Sequence, residues 1–95
     1  KALKKAGWSA DDVDLWEVNE AFAIVPMIAM QELGIPHDKI NVNGGACALG
    51  HPLGASGAVL MTRMAHHMRD NGIRYGLQTM CEGGGQANAT IIELL

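Results

Sequence analysis

A chain of 95 residues has room for one domain, or part of one. With 48% hydrophobic and 18% charged residues it is neither a disordered tail nor a coiled coil, and a net charge of −3 without any Lys/Arg cluster argues against nucleic acid as a partner. The longest apolar run, Ala21 to Met30, is interrupted by Pro26 and falls short of the ~20 residues that a membrane span needs.

In chain order, Lys1 to Ala6 reads as the last turns of a helix, with Gly7 as its left-handed cap and Lys4 and Lys5 at the negative end of its dipole. The chain therefore reads as a piece of a larger protein. A polar loop through Ser9, Asp11 and Asp12 leads to a short strand, Leu15-Trp16-Glu17-Val18. An apolar helix follows over Ala21 to Leu33, ended by Gly34 and Pro36. Its low polar content predicts burial on nearly all sides. Pro26 fits such a helix if the regular turns start late and place it in the first turn. Ile40 to Val42 is expected as a second strand, and Asn43 to Gly57 as a glycine-rich loop. Ala58 to Asp70 has Leu60, Met61, Met64, Ala65 and Met68 at helical spacing, and Asn71-Gly72 ends it. Tyr75 to Met80 is a third strand, Glu82 to Gln86 a glycine turn, and Ala87 to Leu95 a fourth strand. This order implies α/β layering around a mainly parallel sheet that closes in an antiparallel hairpin. Four strands with helices on the crossovers leave one layer wanting.

Glycine clusters at Gly44, Gly45, Gly50, Gly54 and Gly57, and again at Gly83 to Gly85. Backbone there must turn sharply or let another group come close. Three candidates for chemistry sit at strand-to-loop junctions, where α/β folds place their sites. His51, between Gly50 and Pro52, is held on rigid exposed backbone; the plainer alternative is a loop histidine bonded to a carbonyl. Cys81, ahead of Glu82-Gly83-Gly84-Gly85, is a thiol beside free backbone N–H groups that could face a developing oxyanion; the alternative is a small buried hydrophobe. Asn19 opens Asn19-Glu20-Ala21-Phe22 and on local grounds is first a helix N-cap, with Glu20 a first-turn carboxylate. Cys47, among Ala46, Ala48 and Leu49, reads as core, as does the stripe of Met27, Met30, Met61, Met64 and Met68. Ser56 and the glycines around it could bind an anion or cap the next helix. His66 and His67 are adjacent and so cannot share a metal. The two cysteines show no ligand or disulfide spacing, which points to a reducing compartment.

Taken together, Asn19-Glu20-Ala21-Phe22, Asn41-Val42-Asn43-Gly44-Gly45 running into Gly50-His51-Pro52-Leu53-Gly54-Ala55-Ser56-Gly57, and Cys81 with Gly83-Gly84-Gly85 resemble the C-terminal end of thiolases. The likeness covers nearly all 95 residues, with the blocks in the family's order. It implies the thiolase fold, with residues 1–95 as the C-terminal portion of the second α/β domain and a mixed sheet covered by helices. It also implies reversible acyl transfer to coenzyme A, with acyl-CoA as the partner molecule, no metal, and no cofactor beyond the thioester substrate. The acyl-accepting cysteine of the family has no match here. The resemblance gives His51 the role of base toward that cysteine and Asn19 that of holding a water at an oxyanion site. Cys81 becomes an acid/base, and the Gly83 N–H a donor at a second oxyanion site. A homo-oligomer is implied, in the cytoplasm unless in mitochondrion or peroxisome; Leu94-Leu95 is not a peroxisomal ending. Cys47, Gln78 and Ala87 depart from the family's usual residues and bear on packing or chain-length preference. A ketoacyl-synthase-like condensing enzyme is disfavoured by Cys81 and the Asn19 block. A non-catalytic assembly module is the other alternative.

Overall fold

The computed structural model describes residues 1–95. Seven elements follow in chain order: α1 (Ala2–Ala6), β1 (Leu15–Val18), α2 (Ile24–Leu33), α3 (Ala46–Leu49), α4 (Ser56–Asn71), β2 (Tyr75–Glu82) and β3 (Gln86–Glu93). Short 3₁₀ turns at Ala10–Asp12 and His37–Lys39 join α1 to β1 and follow α2. The sheet has three strands in the order β1-β2-β3, with β1 parallel and β3 antiparallel to β2. The expected α/β class with a mixed, helix-covered sheet is what the chain adopts.

The alternation of each strand divides the core into two layers. Trp16, Val18 and Leu77 pack with Val13, Ile35 and Ile40 on the face covered by α1 and α2. Leu15 points the other way, onto Met64 and Met68 of α4. Gly76 allows α4 to sit close, since a Cβ there would lie 2.7 Å from the Met68 sulfur. β1 is the centre of this arrangement and is buried along its whole length.

Three expectations need correction. Ile40 to Val42 is not a strand: only Ile40 makes an isolated parallel bridge, to Trp16. The reason is Asn41, whose backbone is left-handed (φ 48°) and breaks the ladder. Its side-chain amide replaces the missing strand, accepting from the Val18 N–H and donating to the Val18 carbonyl at 2.8 Å each. Helix α2 is not buried on all sides. It starts at Ile24, so Pro26 does fall in its first turn, but none of its residues is fully buried. Val25, Ala29 and Met30 touch the core, while Phe22 ahead of it is 73% exposed and Met27 and Ile28 face outward. A helix apolar all round has more surface than one sheet face can cover. Finally, the methionine stripe is core only in part, and Cys47 lies at the surface.

Candidate active site

The carboxyl ends of the parallel strands β1 and β2 carry Asn19 and Cys81, and the glycine-rich loop between Asn43 and Ala55 folds over that end. Asn19 follows β1 and is fixed by its backbone N–H, which donates to the Thr79 carbonyl at 3.0 Å. Strand alternation places it on the α4 side with Leu15 and Glu17. It is 2% exposed, and neither the oxygen nor the nitrogen of its amide has a hydrogen-bond partner. It is not the N-cap that local reasoning suggested, because α2 begins five residues later behind Ala23. Instead the amide borders a cavity of about 100 Å³ shared with Gly45, Gly50, Pro52, Ser56 and Leu60. That is room for ordered water, which requires only ~15 Å³ and a few polar partners.

Glu20 organises the loop. Its Oε1 accepts from Asn41 Nδ2 at 2.9 Å and its Oε2 from the Cys47 backbone N–H at 3.0 Å. It does serve a first helical turn, but that of α3 rather than α2. Burial pushes its acidity weaker, yet the bonds from Asn41 and Cys47 outweigh this and hold the carboxyl below its ordinary range. Gly45 packs against it so closely that a Cβ would come within 2.6 Å of the carboxyl group. The neighbouring Glu20 carboxylate also pushes the exposed Cys47 thiol up, which makes it a poor nucleophile.

After α3 the chain reverses at Gly50, with φ 94° and ψ 165°, a conformation open essentially only to glycine. This delivers His51, half-buried, with Nδ1 2.6 Å from Ser56 Oγ; that hydroxyl in turn donates to the Pro52 carbonyl at 3.1 Å. The Ser56 side chain does not cap the helix; its hydroxyl is spent on His51 and Pro52. The plain alternative for His51, a ring bonded to a carbonyl, is likewise replaced by a ring bonded to a hydroxyl.

β2 outruns β1. Its pairing with β1 ends at Thr79, so Met80, Cys81 and Glu82 pair only with Asn88, Ala87 and Gln86 of β3. Cys81 is exposed at the same end of the sheet as Asn19. Gly83 starts the three-glycine turn, and nothing lies within 4 Å of where a Cβ on it would stand. The structure thus gathers Asn19 and the neighbours of His51, Gly50 and Pro52, around one cavity, whereas His51 itself, Cys81 and Gly83 line none of the cavities.

Two buried polar groups lie deeper, unmarked by any motif. Glu17 in β1 and Gln78 in β2 are cross-strand neighbours, and Glu17 Oε2 and Gln78 Oε1 both lack partners. Burial pushes the Glu17 carboxyl up to about 7; the Arg63 cation opposes the shift, and the Glu20 carboxylate adds to it. Only the alternation of a fully apolar strand around Glu17 could have signalled it from sequence.

Polar groups drawn to the carboxyl ends of parallel strands, under a glycine-rich loop, define an α/β protein with a site at its strand ends. Its family follows from comparison. The thiolase C-terminal domain model matches residues 1–94, so the chain belongs to that family. It is 58% identical over 94 residues to the steroid 3-ketoacyl-CoA thiolase FadA6 of Mycobacterium tuberculosis, covering 99% of this chain and 23% of that protein. It is 52% identical to the acetyl-CoA acetyltransferase of Chromobacterium violaceum, covering 98% of this chain and 24% of that protein. The crystal structure of human mitochondrial 3-ketoacyl-CoA thiolase in complex with CoA superimposes with a TM-score of 0.91 and 50% identity, over 97% of this chain and 23% of that one. The chain spans about a quarter of the length of the relatives it matches. No helix in it is long and apolar enough to cross a membrane.

Proposed function

We propose that this chain forms half of an acyl-transfer site, as the C-terminal portion of the second domain of a longer polypeptide that moves acyl groups reversibly to coenzyme A. The observation that carries the reading is the buried Asn19 amide, unpartnered and facing a cavity walled by the two neighbours of His51. A water held by that amide and an imidazole N–H form two donors for a thioester oxygen. Preorganised donors of this kind lower a barrier by roughly 3 kcal/mol each.

In this reading a cysteine thiol from beyond these 95 residues gives its proton to His51 Nε2. The thiolate then attacks the substrate carbonyl, and coenzyme A or a carbanion leaves. Cys81 gives or takes the proton at the departing sulfur or α-carbon, and the Gly83 N–H stabilises the second oxyanion. The exposed Cys81 on an overhanging strand end and the open approach to Gly83 are compatible with groups that meet substrate. These steps move protons and an acyl group only, so they call for neither metal nor redox cofactor. Relatives named as 3-ketoacyl-CoA thiolases and acetyl-CoA acetyltransferases support acyl-CoA as the substrate class. The outward apolar residues of α2 support its burial against further polypeptide, including a second subunit. Two free thiols support a reducing compartment, which we take as the cytoplasm.

The test is thiolysis of acetoacetyl-CoA by the longer polypeptide. His51→Asn and Cys81→Ala are each expected to lower kcat by roughly 10²- to 10⁴-fold, as loss of a positioned acid or base does. Turnover within a few-fold of the unsubstituted protein would refute the assigned roles.

A further inference from the structure

Ser56 does nothing that a helix start requires of a serine. It is the first residue of α4 and is 4% exposed, and its side chain makes no bond to a first-turn N–H. A hydroxyl has one proton to give and can accept others. Here its oxygen lies 2.6 Å from His51 Nδ1 and 3.1 Å from the Pro52 carbonyl. The carbonyl can only accept, and it also receives the backbone N–H groups of Ala55 and Ser56 at 2.8 Å each. If the hydroxyl proton pointed at Nδ1 instead, an oxygen lone pair would face the carbonyl oxygen with no proton between them. The repulsion is relieved when the hydroxyl donates to Pro52 and accepts from the imidazole.

We infer that Ser56 is a positioning residue that holds His51 in the tautomer protonated at Nδ1, leaving Nε2 as the free base. The orientation follows from short, local chain geometry: Gly50 turns the backbone, Pro52 stiffens it, and the start of α4 brings the hydroxyl back four residues later. When Nε2 takes up a proton, the same N–H to hydroxyl bond becomes charge-assisted and stronger, so the contact stabilises the acceptor state as well. An imidazole without this partner would divide between two tautomers, one of which presents N–H where a lone pair is required. The use made of Nε2 rests on the acyl-transfer reading; the tautomer does not.

The experiment compares the unsubstituted longer polypeptide with its Ser56→Ala variant, both ¹⁵N-labelled in alkaline buffer. A His51→Gln variant identifies the ring resonances. A pyrrole-type Nδ1 and a pyridine-type Nε2 are expected in the unsubstituted protein, with a shift toward Nε2–H in Ser56→Ala. Thiolysis by Ser56→Ala should show kcat lowered roughly ten- to a hundredfold, the range typical when a histidine loses its orienting partner, with KM changed less than twofold. A pyrrole-type Nε2 in the unsubstituted protein, or a tautomer unmoved by the substitution, would overturn the inference. So would a change confined to KM. If the unsubstituted polypeptide shows no thiolysis at all, the acyl-transfer reading fails while the spectra still decide the role of Ser56.

Discussion

Replacing Glu17 by Gln should stabilise the protein, and increasingly so as pH rises. Glu17 is 1% exposed in the central strand, where burial lifts its carboxyl from an ordinary 4.5 to about 7. Because the folded state binds this proton more tightly than the unfolded chain, the contribution is fully present below pH 4.5 and is lost as pH climbs through 7. At ~1.4 kcal/mol per pH unit, the gap corresponds to about 3 kcal/mol between mildly acidic and mildly alkaline solution. Glutamine keeps the shape and cannot ionise. Its NH₂ can also donate toward the orphaned Gln78 oxygen across the strand pair, as a protonated Glu17 would. Urea denaturation followed by fluorescence of Trp16, the buried neighbour in β1, reports on this core. The advantage of Glu17→Gln over the parent should be small at pH 4.5 and reach roughly 2–3 kcal/mol by pH 8.5. An advantage that stays constant within ~0.5 kcal/mol over that span would refute the reasoning, since a pH-independent difference cannot come from proton linkage.

Asn41→Ala removes two bonds to Val18 and one to Glu20, leaving the buried end of β1 unpaired and placing alanine in a left-handed conformation. A loss of about 2–4 kcal/mol is expected, with faster hydrogen exchange at the Val18 amide; an unchanged exchange rate would contradict it. Gly45→Ala sets a methyl against a carboxyl that Asn41 and Cys47 hold in place, so it should cost about 1–3 kcal/mol by thermal melting, and an unshifted melting temperature would show that Glu20 swings aside freely. Glu20→Gln puts an NH₂ against one of two N–H donors. Since the Glu20 carboxyl titrates below 4.5, its contribution is present above that pH and fades as acid protonates it. The deficit of the variant measured at pH 7 should therefore shrink at pH 3, and an equal deficit at both would rule out the charge as its source.

The sequence is most legible where one residue type has one job. Glycine at Gly7, Gly34 and Gly72 predicts the ends of α1, α2 and α4, and the glycine turn between two strand-like segments predicts the β2–β3 hairpin. It fails where a side chain does the work of a backbone. Asn41 stands in for a strand through its amide, so a segment with strand composition never joins the ladder. It fails again where the burial of a face depends on something other than that face: α2 has the composition of a core helix, but only Val25, Ala29 and Met30 meet the sheet. Cys47 has apolar neighbours in sequence, yet a carboxylate 27 positions earlier accepts from its N–H in the first turn of α3. Each of these depends on a contact between distant positions, which local spacing does not encode.

The same distinction separates the candidate site from the rest of the buried polar groups. Glu17 and Asn19 point to the same side of β1, and each has atoms without partners. Glu17 can relieve its cost by remaining protonated, which gives it a donor and removes the charge. Asn19 has no such route: an amide does not change protonation, and each unpaired atom costs about 1–3 kcal/mol. Around Glu17 the strands and α4 close without a cavity, while beside Asn19 the loop leaves about 100 Å³ open. A polar group that cannot neutralise itself, buried beside space lined by Gly45, Gly50, Ser56 and the apolar Leu49, Val59 and Leu60, is satisfied only by what enters that space. The carboxylate in the middle of β1 is therefore a matter of stability, whereas the amide at its end, a single residue further on, is the group to which we propose a binding role.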